Sequence, residues 1–110
     1  MYTIRVRRHF DAAHALRGYG GKCENLHGHR WQIVVAVAAE ELDEVGLAFD
    51  FTWLKQELDA ILACYDHKFL NEVPPFDEIN PSSEHIARTI FNELKKRIPQ
   101  ANIVEVESWE

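Results

Sequence analysis

Cysteine is scarce in this chain: Cys23 and Cys64 are the 2 in 110 residues. Two thiols are too few for the disulfide framework of a small secreted domain. In a chain of intracellular character they are expected to be reduced, which leaves Cys23 free to do chemistry. Positive charge is scarce too. The 12 Lys and Arg stand against 18 Asp and Glu, a net charge of −6, which excludes a general nucleic-acid binder because phosphate backbones are met by clusters of cations. An anionic ligand would need local positive charge, and the dense basic stretches are RVRR at 5–8 and KKR at 95–97, the latter where a helix is expected to end. No apolar run approaches the ~20 residues of a membrane span. The N-terminal MYTIRVRRHF alternates instead of pairing a basic head with a continuous apolar stretch, so it does not read as a secretory signal. A cytoplasmic protein is expected, with no membrane and no nucleic acid among its partners. Repeats and low-complexity tracts are also missing.

What is present is the composition of a soluble globular protein, 46% hydrophobic and 27% charged. The length suits a single domain over 1–110. Tyr2, Ile4, Val6 and Phe10 share one face of residues 2–10, with Thr3, Arg5, Arg7 and His9 on the other, which predicts a half-buried strand. A glycine-rich loop follows, long enough to carry function. HRWQIVVAVA then predicts a second strand with Trp31, Ile33, Val35 and Val37 on one face. From Phe51 onward, Leu54, Leu58, Ile61, Leu62 and Tyr65 form the stripe of an amphipathic helix that Asp50 can cap. After the loop NEVPPFDEINP, Ser82 can cap a second helix carrying Ile86, Ile90, Phe91 and Leu94, with Pro99 beyond its end. NIVEVESWE closes with a third strand. Strand, strand, helix, helix, strand predicts an α+β fold, with two helices packed on one face of an antiparallel sheet. A narrow sheet with an apolar edge strand predicts an oligomer.

The chemistry-bearing residues fall in three strips. In KCENLHGHRW, His27 and His29 lie two apart, and on a strand that places both side chains on one face about 6.6 Å apart. They can converge on one ion, with His14 of FDAAH as the natural third ligand if the two strands are neighbours; tetrahedral zinc keeps its fourth position for water or substrate in such sites. The spacing alone also fits ordinary strand histidines. In CYDHKFLNE, Asp66 can orient His67, the pattern of proton relays, or the two can form a polar helix end. His9 and His85 are expected to be solvated, and Cys64 to be a small core residue.

Together the strips FDAAHAL at 10–16, CENLHGH at 23–29, GLAFDFTWLK at 46–55, YDHKFLNE at 65–72, NPSSE at 80–84 and Glu107-Ser108 resemble the 6-pyruvoyltetrahydropterin synthase family. The resemblance is closest to the bacterial 6-carboxy-5,6,7,8-tetrahydropterin synthase branch of queuosine biosynthesis, which has the same three residues between cysteine and HGH. It implies a tunnelling fold, ββααβ(β), catalytic zinc (Zn2+) on His14, His27 and His29, Cys23 as general base, and Asp66 with His67 assisting proton transfer. It also implies Glu107 as the pterin anchor; Glu105 would face the same way.

The implied substrate is 7,8-dihydroneopterin triphosphate, converted to 6-carboxy-5,6,7,8-tetrahydropterin with release of acetaldehyde and triphosphate. The implied assembly is a homo-oligomer, a hexamer of two trimers with sites between subunits. Arg17, Lys22 or Lys68 could meet the triphosphate. The given sequence stops at Glu110, where relatives continue into another short strand, so three strands are expected. Two other readings stay open at this point: triphosphate elimination without acetaldehyde, as in the pyruvoyl-forming enzymes, and a non-catalytic zinc-stabilised pterin-binding module with a closed Cys-His₃ site.

Overall fold

The computed structural model describes residues 1–18 and 25–110. Strand β1 (Tyr2–His14) and strand β2 (His27–Ala39) pair antiparallel along their full length, from Tyr2 opposite Ala39 to His14 opposite His27. The first strand therefore runs past Phe10. Its apolar alternation fades at Asp11, but the backbone pairing continues and carries His14 to a position facing His27.

Helix α1 (Phe51–Leu62) starts where the Asp50 carboxylate accepts the Thr52 and Trp53 N–H groups at 2.8 and 3.4 Å. Helix α2 (Ser83–Arg97) starts where Ser82 Oγ accepts the His85 N–H at 3.1 Å. Both caps are those that the sequence predicts. The helices cover one face of the sheet: Leu54, Leu58 and Ile61 of α1 and Ile86, Ile90 and Leu94 of α2 close over Phe10, Trp31, Ile33, Val35 and Val37.

The sheet differs from the expected three antiparallel strands. Strand β3 (Lys68–Phe69), between the helices, pairs parallel to β1 at Ala12 and Ala13, and strand β4 (Ile103–Trp109) pairs antiparallel to β2, giving the order β3-β1-β2-β4. The fold is thus two helices on a four-stranded mixed sheet. A two-residue strand has no periodicity to read, so β3 is invisible to pattern analysis.

The face away from the helices carries charged side chains around the buried Val34, Ala36 and Ala38 of β2. Arg5 of β1 and Glu105 of β4 both lie opposite Ala36, and their 3.9 Å ion pair spans that small residue, which is 1% exposed. Arg7 lies over the Trp109 ring at 5.4 Å. Cys64 departs from its expected core position: it is exposed, with Sγ 3.8 Å from the Ala60 carbonyl, because the buried stripe passes through Ile61, Leu62 and Tyr65. Among the described residues, no helix is long and apolar enough to cross a membrane.

Candidate active site

The register of β1 against β2 sets His14 opposite His27, and the period of two adds His29 on the same face. The ring centroids lie 4.4 Å apart for His14–His27, 4.5 Å for His27–His29 and 5.5 Å for His14–His29. Trp31, the next residue on that face and fully buried, sets its ring edge-on to His14 at 4.8 Å and to His29 at 5.8 Å. It forms an apolar floor beneath the histidines.

Two of the imidazoles are held in one tautomer. His14 Nδ1 donates to the Pro81 carbonyl and His27 Nδ1 donates to the Asn25 carbonyl, each at 2.7 Å. With Nδ1 as donor, Nε2 carries a bare lone pair, the arrangement that metal-binding histidines use. Burial pushes the His14 pKa below its ordinary value and so favours the neutral ring, against the opposing effect of the Pro81 carbonyl.

The Nε2 atoms of His14 and His29 are buried without a hydrogen-bond partner. Glu110 brings its carboxylate to 3.5 Å from the first and 3.1 Å from the second, without the alignment of a hydrogen bond. One donor atom from each of His14, His27, His29 and Glu110 lies within 4.8 Å of the others. Buried, unpartnered imidazole nitrogens beside a carboxylate fit a divalent metal.

Glu107 lies elsewhere. In β4, Val106 and Ser108 pair with Val35 and Ile33 on the helix face, whereas Glu107 pairs with Val34 on the opposite face. Glu105 shares that opposite face, as expected. The same period carries Glu110, two residues past Ser108, to the histidine side. Pattern analysis could have found it by extending the alternation to the last residue.

Asp66 and His67 come together, next to Asp11 and separate from the three histidines. Asp66 Oδ2 lies 3.0 Å from His67 Nδ1, and Asp66 Oδ1 accepts the Asp11 N–H at 2.9 Å. That backbone hydrogen bond, followed by the contact with His67, holds the Asp66 carboxyl below the usual carboxylate range. His67 sits at φ 59°, in the left-handed region uncommon for residues other than glycine.

Two asparagines inside the recognised strips have positions that the sequence did not announce. The Asn71 side chain donates to the Ala15 carbonyl at 2.8 Å and accepts the Ala15 N–H at 2.9 Å. Asn80 does the same for Arg17, at 2.9 and 2.8 Å. These amide side chains fix the chain leaving His14. Arg17 itself is spent on structure: its guanidinium donates to the carbonyls of Ile79, Asn71 and Phe76 at 3.3, 3.3 and 2.9 Å. His85 is half-buried, not solvated, with Nδ1 2.7 Å from the Asn80 carbonyl. His9 is exposed, as expected. Lys68 is exposed on β3, while Lys22 and Cys23 lie outside the described residues.

Fold and site define a class: an α+β protein whose sheet presents a three-histidine, one-carboxylate centre suited to a divalent metal. The family model described as 6-pyruvoyl tetrahydropterin synthase matches residues 3–110, and the chain belongs to that family. A 6-carboxy-5,6,7,8-tetrahydropterin synthase of Synechocystis sp. is 38% identical over 96% of this chain and 85% of its own. A dihydroneopterin monophosphate aldolase of Pyrococcus furiosus is 33% identical over 97% of this chain and 88% of its own. Among solved structures, 6-pyruvoyl tetrahydropterin synthase of Caenorhabditis elegans superposes with a TM-score of 0.81 at 26% identity, covering 99% of this chain and 94% of that one. The chain is an enzyme of the lyase type, with a pterin synthase function.

Proposed function

We propose that the protein converts 7,8-dihydroneopterin triphosphate and water to 6-carboxy-5,6,7,8-tetrahydropterin, acetaldehyde and triphosphate, with zinc on His14, His27 and His29, as a step toward queuosine. The observation that carries this reading is the convergence of three imidazoles and a carboxylate, one donor atom of each lying within 4.8 Å of the others, with the Nε2 atoms of His14 and His29 buried and unpartnered. The Synechocystis relative, which bears the name of that synthase, supports the choice of reaction. When bound, zinc supplies Lewis-acid polarisation of the substrate's side-chain oxygens, which acidifies the neighbouring C–H.

The chain's own residues do the rest. Cys23 removes the acidified proton; its thiol, four residues before His27, would be ionised more easily beside a cation. Its role rests on the motif. His67, with Nδ1 against Asp66, exchanges a proton with the substrate through its other ring nitrogen. A carboxylate anchors the pterin by accepting from its amino group and ring N–H. The resemblance assigns that role to Glu107; Glu110, whose carboxylate lies on the histidine face, is the alternative.

The resemblance implies a homo-oligomer, a hexamer of two trimers with sites between subunits, in which the Asp66–His67 pair and the three histidines, separate groups in one chain, would meet across copies. One domain over 1–110 and a cytoplasmic location complete the reading.

The zinc-loaded protein incubated with 7,8-dihydroneopterin triphosphate should yield acetaldehyde and the 6-carboxy product by mass spectrometry. Triphosphate without acetaldehyde would replace this reading with the pyruvoyl-forming one. The aldolase name of the Pyrococcus relative favours a second reading, aldol cleavage of dihydroneopterin monophosphate into a pterin fragment and an aldehyde fragment, which the same assay run on the monophosphate distinguishes. No turnover by fully metallated protein would leave the non-catalytic pterin-binding module.

A further inference from the structure

We propose that Asp11 and Arg30 are positioning residues for the Asp66–His67 pair, an inference that rests on the relay reading above. Asp11 meets the pair through its backbone on both sides. Its N–H donates to Asp66 Oδ1 at 2.9 Å, and its carbonyl accepts the His67 N–H at 2.6 Å. These two bonds tie the turn after α1 to β1 and hold His67 at its left-handed φ of 59°. With Oδ1 on the strand and Oδ2 3.0 Å from His67 Nδ1, both oxygens of Asp66 are committed. The imidazole is therefore aimed, while its side chain stays 77% exposed and free to reach a reacting group.

The Asp11 side chain creates a problem that Arg30 resolves. A donor atom of Asp11 lies within 4.8 Å of one from Asp66 and one from His67, so a second carboxylate stands ready to compete for the same ring. Arg30, opposite Asp11 on β2, holds that carboxylate with Nε 3.0 Å from Oδ1 and Nη2 3.4 Å from Oδ2. A guanidinium matches a carboxylate as a two-pronged fork, which fixes direction as well as charge. Arg30 thus engages both oxygens of Asp11 and neutralises its charge beside the imidazole.

The charged groups of this cluster are then Asp66 and Asp11 near His67, with Arg30 and His9 in turn acting on the Asp11 carboxylate and Lys68 next to His67 in the chain. The cluster is not a cation site in this arrangement, because three of its four carboxylate oxygens already accept hydrogen bonds from N–H groups and the fourth lies beside His67 Nδ1.

The test is the pH profile of turnover by the zinc-loaded enzyme. Asp11→Asn keeps the backbone bonds but leaves Arg30 unopposed beside the ring, so the kcat limb carried by the relay moves to lower pH. Arg30→Gln releases the Asp11 carboxylate, so that limb moves to higher pH, each by about half a unit at this exposure. KM and bound zinc stay at parent values, Arg30→Lys recovers part of the shift, and the Asp11→Asn/Arg30→Gln double variant returns the limb toward the parent's.

Unmoved or same-direction limbs in the two single variants would overturn the proposal. So would loss of zinc or of the folded state in both, since the pair would then be merely structural. A His67→Ala variant with full turnover would instead remove the relay reading, and it is scored without either of these substitutions.

Discussion

His14 Nδ1 and the Pro81 carbonyl oxygen lie 2.7 Å apart, joining the end of β1 to the segment that opens α2. A residue 67 positions away in sequence thereby sets which nitrogen of a candidate zinc ligand is bare. His14→Ala and His27→Ala should each lose bound zinc together with activity. Elemental analysis of purified protein checks this, and stoichiometric zinc in either variant would remove that residue from the ligand set.

Glu107 of β4 and Glu110 just beyond it make opposite predictions. Glu110→Gln should raise KM for the pterin by roughly tenfold or more, the loss of a charge-assisted hydrogen bond, while Glu107→Gln, on the far face, should leave KM near the parent's. Steady-state kinetics on both variants decides which carboxylate anchors the pterin, and the reverse pattern would return the role to Glu107.

The Asp66 carboxyl titrates below its ordinary value of 3.8 in the folded chain, first because of the Asp11 N–H and then because of His67. A depressed carboxyl stabilises the fold fully above the unfolded value, and that stabilisation is lost as pH falls below 3.8 and through the folded value. Urea midpoints measured from about pH 5 to about pH 3 should fall less steeply in Asp66→Asn than in the parent. The Asp11 carboxyl, held low chiefly by its hydrogen bond from Arg30, adds a loss of the same sign.

Asn71→Ala should destabilise the fold by about 1–3 kcal/mol for each of the two Ala15 backbone groups it leaves without a partner. Zinc affinity should fall with it, because Ala15 follows His14 directly. Leu58→Ala, at a fully buried position under the sheet, should cost about 2–5 kcal/mol and leave zinc binding in place. Urea unfolding with and without chelator separates the two effects.

The sequence made some of these features readable because they repeat. Leu54, Leu58 and Ile61 recur at helical spacing and Trp31, Ile33 and Val35 at strand spacing, so both helices and the long strands could be drawn before the structure. His27 and His29 were legible for the same reason. His14 became their partner only through the β1–β2 register, which depends on pairing across the chain. Residues acting through a backbone contact leave no such trace: Asn71, Asn80 and Pro81 carry no periodic signal, and β3 is two residues long. Cys64 misled because it borders the apolar stripe without belonging to it.

The asparagine clamps also govern how this chain can meet others. Along the edge of β1 away from β2, the backbone of Asp11 bonds to Asp66 and His67, Ala13 pairs with Phe69, and Ala15 and Arg17 take the amides of Asn71 and Asn80. Alternate residues of a strand present their polar groups to the same side, so one edge is occupied from Asp11 to Arg17. A stray strand arriving there finds no template to zip onto. The stretch of the sheet border nearest the histidines is thus shut against fibre growth and strand exchange, so the end of β1 that carries His14 is kept from being rebuilt by a foreign strand.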